Sequence, residues 1–272
     1  MPAFFQTDLA RRTLLLAAAI VLPIETAAAK SAEEQPAGAP AEISVGVASL
    51  AVPRFPGAGQ ERVLALPDVS ITIGRVFFAS LANGIGVRVY DRHGVSAGLI
   101  ARPDLGRRQS DIDRVLPGLT PISGTAEVGG FLDLAITPKL AWHSEVRKAV
   151  SGHDGAVLVT GLSWTQRLDA RTFLNVAPQV RLADGRYMRA YFGIDARAAA
   201  ASQLALYRPA GGLEQTGVQV AAVRRIGARL ELTASADYER LVSSAARSPI
   251  VHSRHGSADQ VTGLVSLRYR FR

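Results

Sequence analysis

The chain has 272 residues, of which 48% are hydrophobic and 20% charged, with a net charge of +8 and no cysteine. That apolar content excludes a disordered chain, and the missing cysteine excludes disulfides, thiolate metal sites and thiol nucleophiles. The basic charge suits anionic partners, but the cations are dispersed without a zinc-finger, RNP-like or lysine-rich pattern, so nucleic acid is not an expected partner.

The first segment reads as an address. Arg11 and Arg12 form a basic start, residues 13–24 form a short apolar core, and Ala27-Ala28-Ala29 offers an A-x-A site. A spanning helix needs about 20 apolar residues, so residues 1–29 are expected to be a signal peptide cleaved between Ala29 and Lys30. No cysteine stands there to carry a lipid anchor. Residues 30–41, rich in Pro, Ala and Glu, read as a flexible mature N-terminus.

From residue 42 the chain alternates with period two. In residues 229–239, Leu230, Leu232, Ala234, Ala236 and Tyr238 share one face, opposite Arg229, Glu231, Thr233, Ser235, Asp237 and Glu239. A helix would scatter both sets, so the period identifies a strand. The same reasoning predicts strands at 42–50, 69–73, 84–89, 94–102, 124–136, 139–147, 156–167, 174–182, 187–194, 213–224 and 260–271. Residues 197–206 suit a short helix in a loop. A soluble sandwich and a membrane barrel share this alternation. Three features favour the barrel: the export signal, apolar faces built of small residues such as Ala234 and Ala236, and polar faces carrying both charge signs. The expected fold of 42–272 is an all-β, antiparallel transmembrane β-barrel of about twelve strands (range 10–14), of outer-membrane type, with lipid around it.

The last strand fits this reading. Val265, Leu267, Tyr269 and Phe271 are expected to face lipid, while Arg268 and Arg270 point into the lumen. A one-residue slip would put both arginines in lipid, at about 2–4 kcal/mol each near the midplane. Tyr269 and Phe271 also form the terminal aromatic pattern that signals barrel assembly.

Several stretches together resemble the MipA/OmpV family, the MltA-interacting outer-membrane proteins. These are residues 53–69 as a first long loop, Tyr187-Met188 with Tyr191-Phe192-Gly193, and Ser248-Pro249-Ile250-Val251. The resemblance implies a non-enzymatic scaffold that links a lytic transglycosylase of the MltA type to a murein (peptidoglycan) synthase, without a cofactor. Counting strands backwards from a periplasmic C-terminus puts loops 53–67, 195–212 and 241–259 outside the cell and connection 103–122 in the periplasm. That connection, with Arg107, Arg108, Asp111, Asp113 and Arg114, is the expected docking loop; a solvated loop or a lid is the alternative.

Catalytic readings are weaker. His143 shares a strand face with Glu145, and Ser163 could serve as a nucleophile, but a lumen hydrogen-bond network explains the same residues. His252 and His255 have Arg254 between them, which repels a cation, so no metal site is expected. A narrow pore for small solutes is the alternative function, and a barrel hydrolase a lesser one.

Overall fold

A computed structural model describes residues 41–113 and 116–271. Among the described residues twelve antiparallel strands close into a barrel: β1 (Glu42–Pro53), β2 (Glu61–Ile73), β3 (Phe77–Ser80), β4 (Gly84–Arg92), β5 (Val95–Asp104), β6 (Thr125–Ala135), β7 (Leu140–Ala149), β8 (Ala156–Arg167), β9 (Thr172–Ala183), β10 (Gly212–Ile226), β11 (Leu230–Leu241) and β12 (Asp259–Phe271). Each strand pairs with its chain neighbour, and β1 closes on β12 with Ile43 opposite Phe271 and Val45 opposite Tyr269. Helices occupy the connections: α1 (Gln109–Ile112), α2 (Gly185–Phe192), α3 (Ala196–Ser202), α4 (Ser243–Ala246) and α5 (Pro249–His252).

The alternation is realised as expected. Val265, Leu267 and Phe271 are exposed on the outer face of β12, and Ser266, at 1% exposure, faces inward. Val47, Val63, Val89, Leu99, Val146 and Val220 continue the apolar outer surface around the wall. An apolar belt of this extent is not sustained in water. Closure removes every strand edge, which is what backbone in hydrocarbon requires. The chain is a transmembrane barrel.

Two predicted elements are corrected. Residues 187–194 are not a strand: α2 occupies Gly185–Phe192. The twelfth strand is instead β3, four residues too short to show alternation. It holds its place through Phe78, which packs edge-on against Phe131 at 5.8 Å between ring centroids. Gly86 lies opposite Phe78, and a Cβ there would come within 2.2 Å of the Phe78 ring. The first loop also contracts to residues 54–60, because β2 already begins at Glu61.

These changes invert part of the topology. Turns 74–76, 93–94, 136–139, 168–171 and 227–229 lie at one end, with both barrel termini. Connections 54–60, 105–124, 184–211 and 242–258 all lie at the other. Outer-membrane barrels have short periplasmic turns and longer outer loops, so connection 103–122 belongs with the outer loops. The false strand had reversed the direction of every strand between β4 and β9.

Candidate functional site

The four long connections fold into a cap over one mouth of the barrel. Its centre is α2. The Asp184 carboxylate accepts from the backbone N–H groups of Arg186 at 3.0 Å and Tyr187 at 2.8 Å, which starts the helix. Tyr187, Met188, Tyr191 and Phe192 then fall on one buried face. They pack with Ile122, Val157, Leu241, Ala245 and Val251. A second cluster joins Phe55, Ile112, Leu116, Leu119, Ile194 and Ile250, drawing on all four connections.

Hydrogen bonds fix this cap. Ser248 starts α5 by accepting from Ile250 N, and its Oγ donates to Phe192 O at 2.7 Å. Pro249 follows in the first turn of α5, where its missing N–H costs nothing. Gly193 lets the chain leave α2, since a Cβ there would lie 2.3 Å from Arg189 O. Arg107, 2% exposed, donates to Tyr191 O at 2.9 Å, Ala190 O at 3.1 Å and Thr120 O at 2.9 Å. Burial pulls its guanidinium down to about 10 against a weaker opposing effect of Tyr191, so it stays charged at neutral pH. Burial, reinforced by Asp104, pushes the Tyr191 phenol far up, and its neutral O–H donates to Asp104 at 2.5 Å. Gln260 holds the first loop, accepting from Gly57 N at 3.1 Å and donating to Ala58 O at 3.2 Å.

Below the cap, charged side chains brace the lumen. Arg102 donates to both Glu145 oxygens, at 2.8 and 3.2 Å. Arg147 donates to Glu127 at 3.0 Å and also to Glu145. Arg181 pairs with Glu214 at 3.0 Å and donates to the Tyr187 hydroxyl at 2.9 Å. Among the described residues, the lumen holds one cavity of about 140 Å³ beneath the cap and another of about 220 Å³ at the short-turn end. Val52, Gln260 and Thr262 line the first, while Ser44, Leu264 and Ser266 line the second. Between those levels Leu50, Leu81 and Leu264 pack with Ala48 and Val52 as an apolar layer. Among the described residues, this layer and the braces lie between the two cavities.

The structure gathers most of the residues singled out in the sequence. Tyr187, Met188, Tyr191, Phe192, Gly193, Ser248 and Pro249 meet in the cap, joined by Arg107. Asp111 is also drawn inward, pairing with Arg62 at 3.2 Å and Arg54 at 3.5 Å. Arg108 and Asp113 are exposed. Arg114, Ala29 and Lys30 lie outside the described residues. Tyr269 and Phe271 stack edge-on at 5.0 Å on the outer face. Reading by strands missed the braces Arg102, Glu127 and Glu214; inward-facing charges on alternating positions were the available signal.

Among the described residues, His143 and Ser163 are not joined in a triad. His143 Nδ1 bonds Asp133 and Nε2 lies 3.4 Å from Glu145, so both nitrogens face carboxylates. Ser163 Oγ instead accepts from Asn175 Nδ2 at 2.7 Å. Asp104, Glu127 and His153 come close enough to suggest a cation site. However, His153 Nδ1 accepts from Gly155 N at 3.1 Å, which leaves the proton on Nε2, 3.3 Å from Glu127. A protonated nitrogen donates and does not ligate.

Comparison with curated proteins finds no match. Among solved structures, the chain is similar to the CymD monoaromatic hydrocarbon channel, at 12% identity over 85% of this chain and 88% of that one, with a TM-score of 0.41. It is also similar to the translocator domain of the autotransporter NalP from Neisseria meningitidis, at 12% identity over 90% and 92%, with a TM-score of 0.41. Likeness at this level carries no argument about cargo or conduction, and the barrel rests on its own strand pairing. The family described as MltA-interacting protein MipA matches residues 45–271. That span takes in nearly the whole wall and all four connections of the cap, including the helix and serine turn that the sequence had marked, and the chain belongs to this family.

Proposed function

We propose that this chain is a non-enzymatic scaffold of the outer membrane, linking a lytic transglycosylase of the MltA type to a murein synthase, and that it arrives there after cleavage between Ala29 and Lys30. Family membership supports the partner class. The observation that supports the reading is a lumen that we take as divided: capped at one mouth, cross-braced by Arg102, Arg147 and Arg181, and filled between its cavities by the Leu50–Leu81–Leu264 layer. A barrel built this way holds a surface in the membrane and does not conduct.

Periplasmic enzymes would meet the short-turn rim. It presents Arg75, Arg92, Lys139, Arg167, Arg171 and Arg229. In connection 105–124, Arg107 and Asp111 are already engaged within the cap, which leaves Arg108 and Asp113 to any partner on the outer side. The test is capture of a soluble MltA-type transglycosylase by the folded barrel in detergent. Capture should persist when residues 108–113 are replaced by a glycine–serine linker. It should fall when Arg92, Arg167 and Arg171 are changed to Gln. No capture by the unaltered barrel would end the scaffold reading.

A further inference from the structure

The cavity at the short-turn end has features that the braces higher in the lumen lack. Its volume is about 220 Å³, enough for several ordered waters. Leu81, Ala82, Val223 and Leu264 line its inner part, and Glu42, Thr72 and Arg270 line the part nearest the short turns, so it forms a vestibule on that side. Strand register places three arginines on its wall. Arg225 of β10 and Arg268 of β12 stand on either side of Glu231 of β11, and Arg270 follows two residues nearer the mouth.

Only Arg268 is neutralised there. It donates to Glu231 at 2.9 Å and lies 3.7 Å from Asp68. Among the described residues, Arg225 and Arg270 have no carboxylate within ion-pair distance. The Arg225 guanidinium sits 5.4 Å over the Phe173 ring, and its Nε is buried without a hydrogen-bond partner. Ring stacking offsets only part of the cost of drying a cation. Around these arginines, the hydroxyls of Ser44, Ser70 and Thr72 line the cavity and make no side-chain hydrogen bonds among the described residues. Glu42 stands at the mouth, exposed and screened by water.

We propose that this vestibule is a binding site for a small oxyanion, a carboxylate or a phosphate group, entering from the periplasmic side. Arg225 and Arg270 stand on strands about 10 Å apart, two strand spacings, so their long side chains reach the anion from opposite sides. Guanidinium forks suit either group, and the hydroxyls supply further donors.

The test uses the folded barrel in detergent, titrated calorimetrically with succinate, inorganic phosphate and uncharged succinamide. Succinate or phosphate should bind and succinamide should not; the tighter of the two anions identifies the source of the group. Arg225→Gln with Arg270→Gln should weaken binding at least tenfold, whereas Arg108→Gln on the cap should leave it unchanged. A second measurement needs no variant: phenylglyoxal labelling of the unaltered protein, mapped by mass spectrometry, should show Arg225 and Arg270 protected by the bound anion. Absence of anion binding, or binding without protection of these two arginines, overturns the site.

Discussion

Arg107 sets one buried charge against three carbonyls of the cap: Thr120, Ala190 and Tyr191. Two of them end α2, where carbonyls lack helical partners and a cation is favoured. Arg107→Ala would remove this donor from all three, so the cap should open more readily by about 2–4 kcal/mol, since a buried unsatisfied group costs about 1–3 kcal/mol. Hydrogen exchange across 105–124 and 185–194 measures this. Arg107→Lys should not restore protection, because a compact ammonium cannot span three acceptors held by a planar fork. The pH dependence follows from the lowered value of about 10. A guanidinium lowered only to about 10 binds its proton in both folded and unfolded chains below pH 9, so it contributes no pH slope between 5 and 9. Cap exchange, corrected for intrinsic rates, should therefore show no Arg107-dependent change across that range. On the outer wall, Val265 sits mid-strand and 54% exposed. Val265→Arg should destabilise the barrel by about 2–4 kcal/mol in denaturant titrations from lipid vesicles; Val265→Leu should not.

Helix α2 shows where strand reasoning stopped working. Residues 187–192 can be read as alternating, yet the apolar residues at 187, 188, 191 and 192 recur at i, i+1, i+4 and i+5, the spacing of one helical face. Asp184 ahead of that run was the start signal, and its side chain does cap the helix. Long strands were legible because every second side chain meets a different solvent; β7 and β11 carry the outward and inward sets that their sequences indicate. Strand β3 was illegible because four residues hold too little period, and its place depends on Phe78 meeting Gly86 and Phe131, contacts distant in sequence. One missed strand and one false strand kept the total right while turning connection 103–122 to the wrong end. The resemblance marked Tyr187-Met188 and Ser248-Pro249 without saying that they touch, since the Ser248–Phe192 bond spans 56 residues. Ser248→Ala should remove that bond and the α5 cap together, lowering cap stability by about 1–2 kcal/mol. Asp184→Ala should cost about 1 kcal/mol. Thermal melts of the barrel wall, read separately by heat-modified gel mobility, should change little in either variant, because neither side chain bonds within the sheet.

At the scale of the whole molecule, occlusion has three sources: the cap, the charged braces and the apolar layer, the last two coupled where Arg102 holds Ala82 O beside Leu81. Removing the cap alone should leave the others closed. Replacing 105–124 by a short turn would uncover the upper cavity but not the Leu50–Leu81–Leu264 layer, which lies between the two cavities. In planar bilayers, both the unaltered barrel and this deletion should lack large, steady conductance steps. Cutting the braces is a different perturbation. Arg102→Ala leaves Glu145 still paired with Arg147, but it removes two of the donors to Glu145 and the donor to Ala82 O at 2.8 Å. Breaking one partner of a buried pair costs about 3–5 kcal/mol. That loss should fall on the 81–83 turn as well as on the wall, because Ala82 O is where Arg102 ties the inserted turn to β5. The deletion combined with Arg102→Ala is therefore the variant expected to show conductance, and Arg102→Lys should reduce it by restoring one donor. Steady steps from the unaltered barrel would contradict the divided lumen directly. Silence from the combined variant would assign the closure to the Leu layer alone, with Leu81→Ala and Leu264→Ala as the next substitutions to open it.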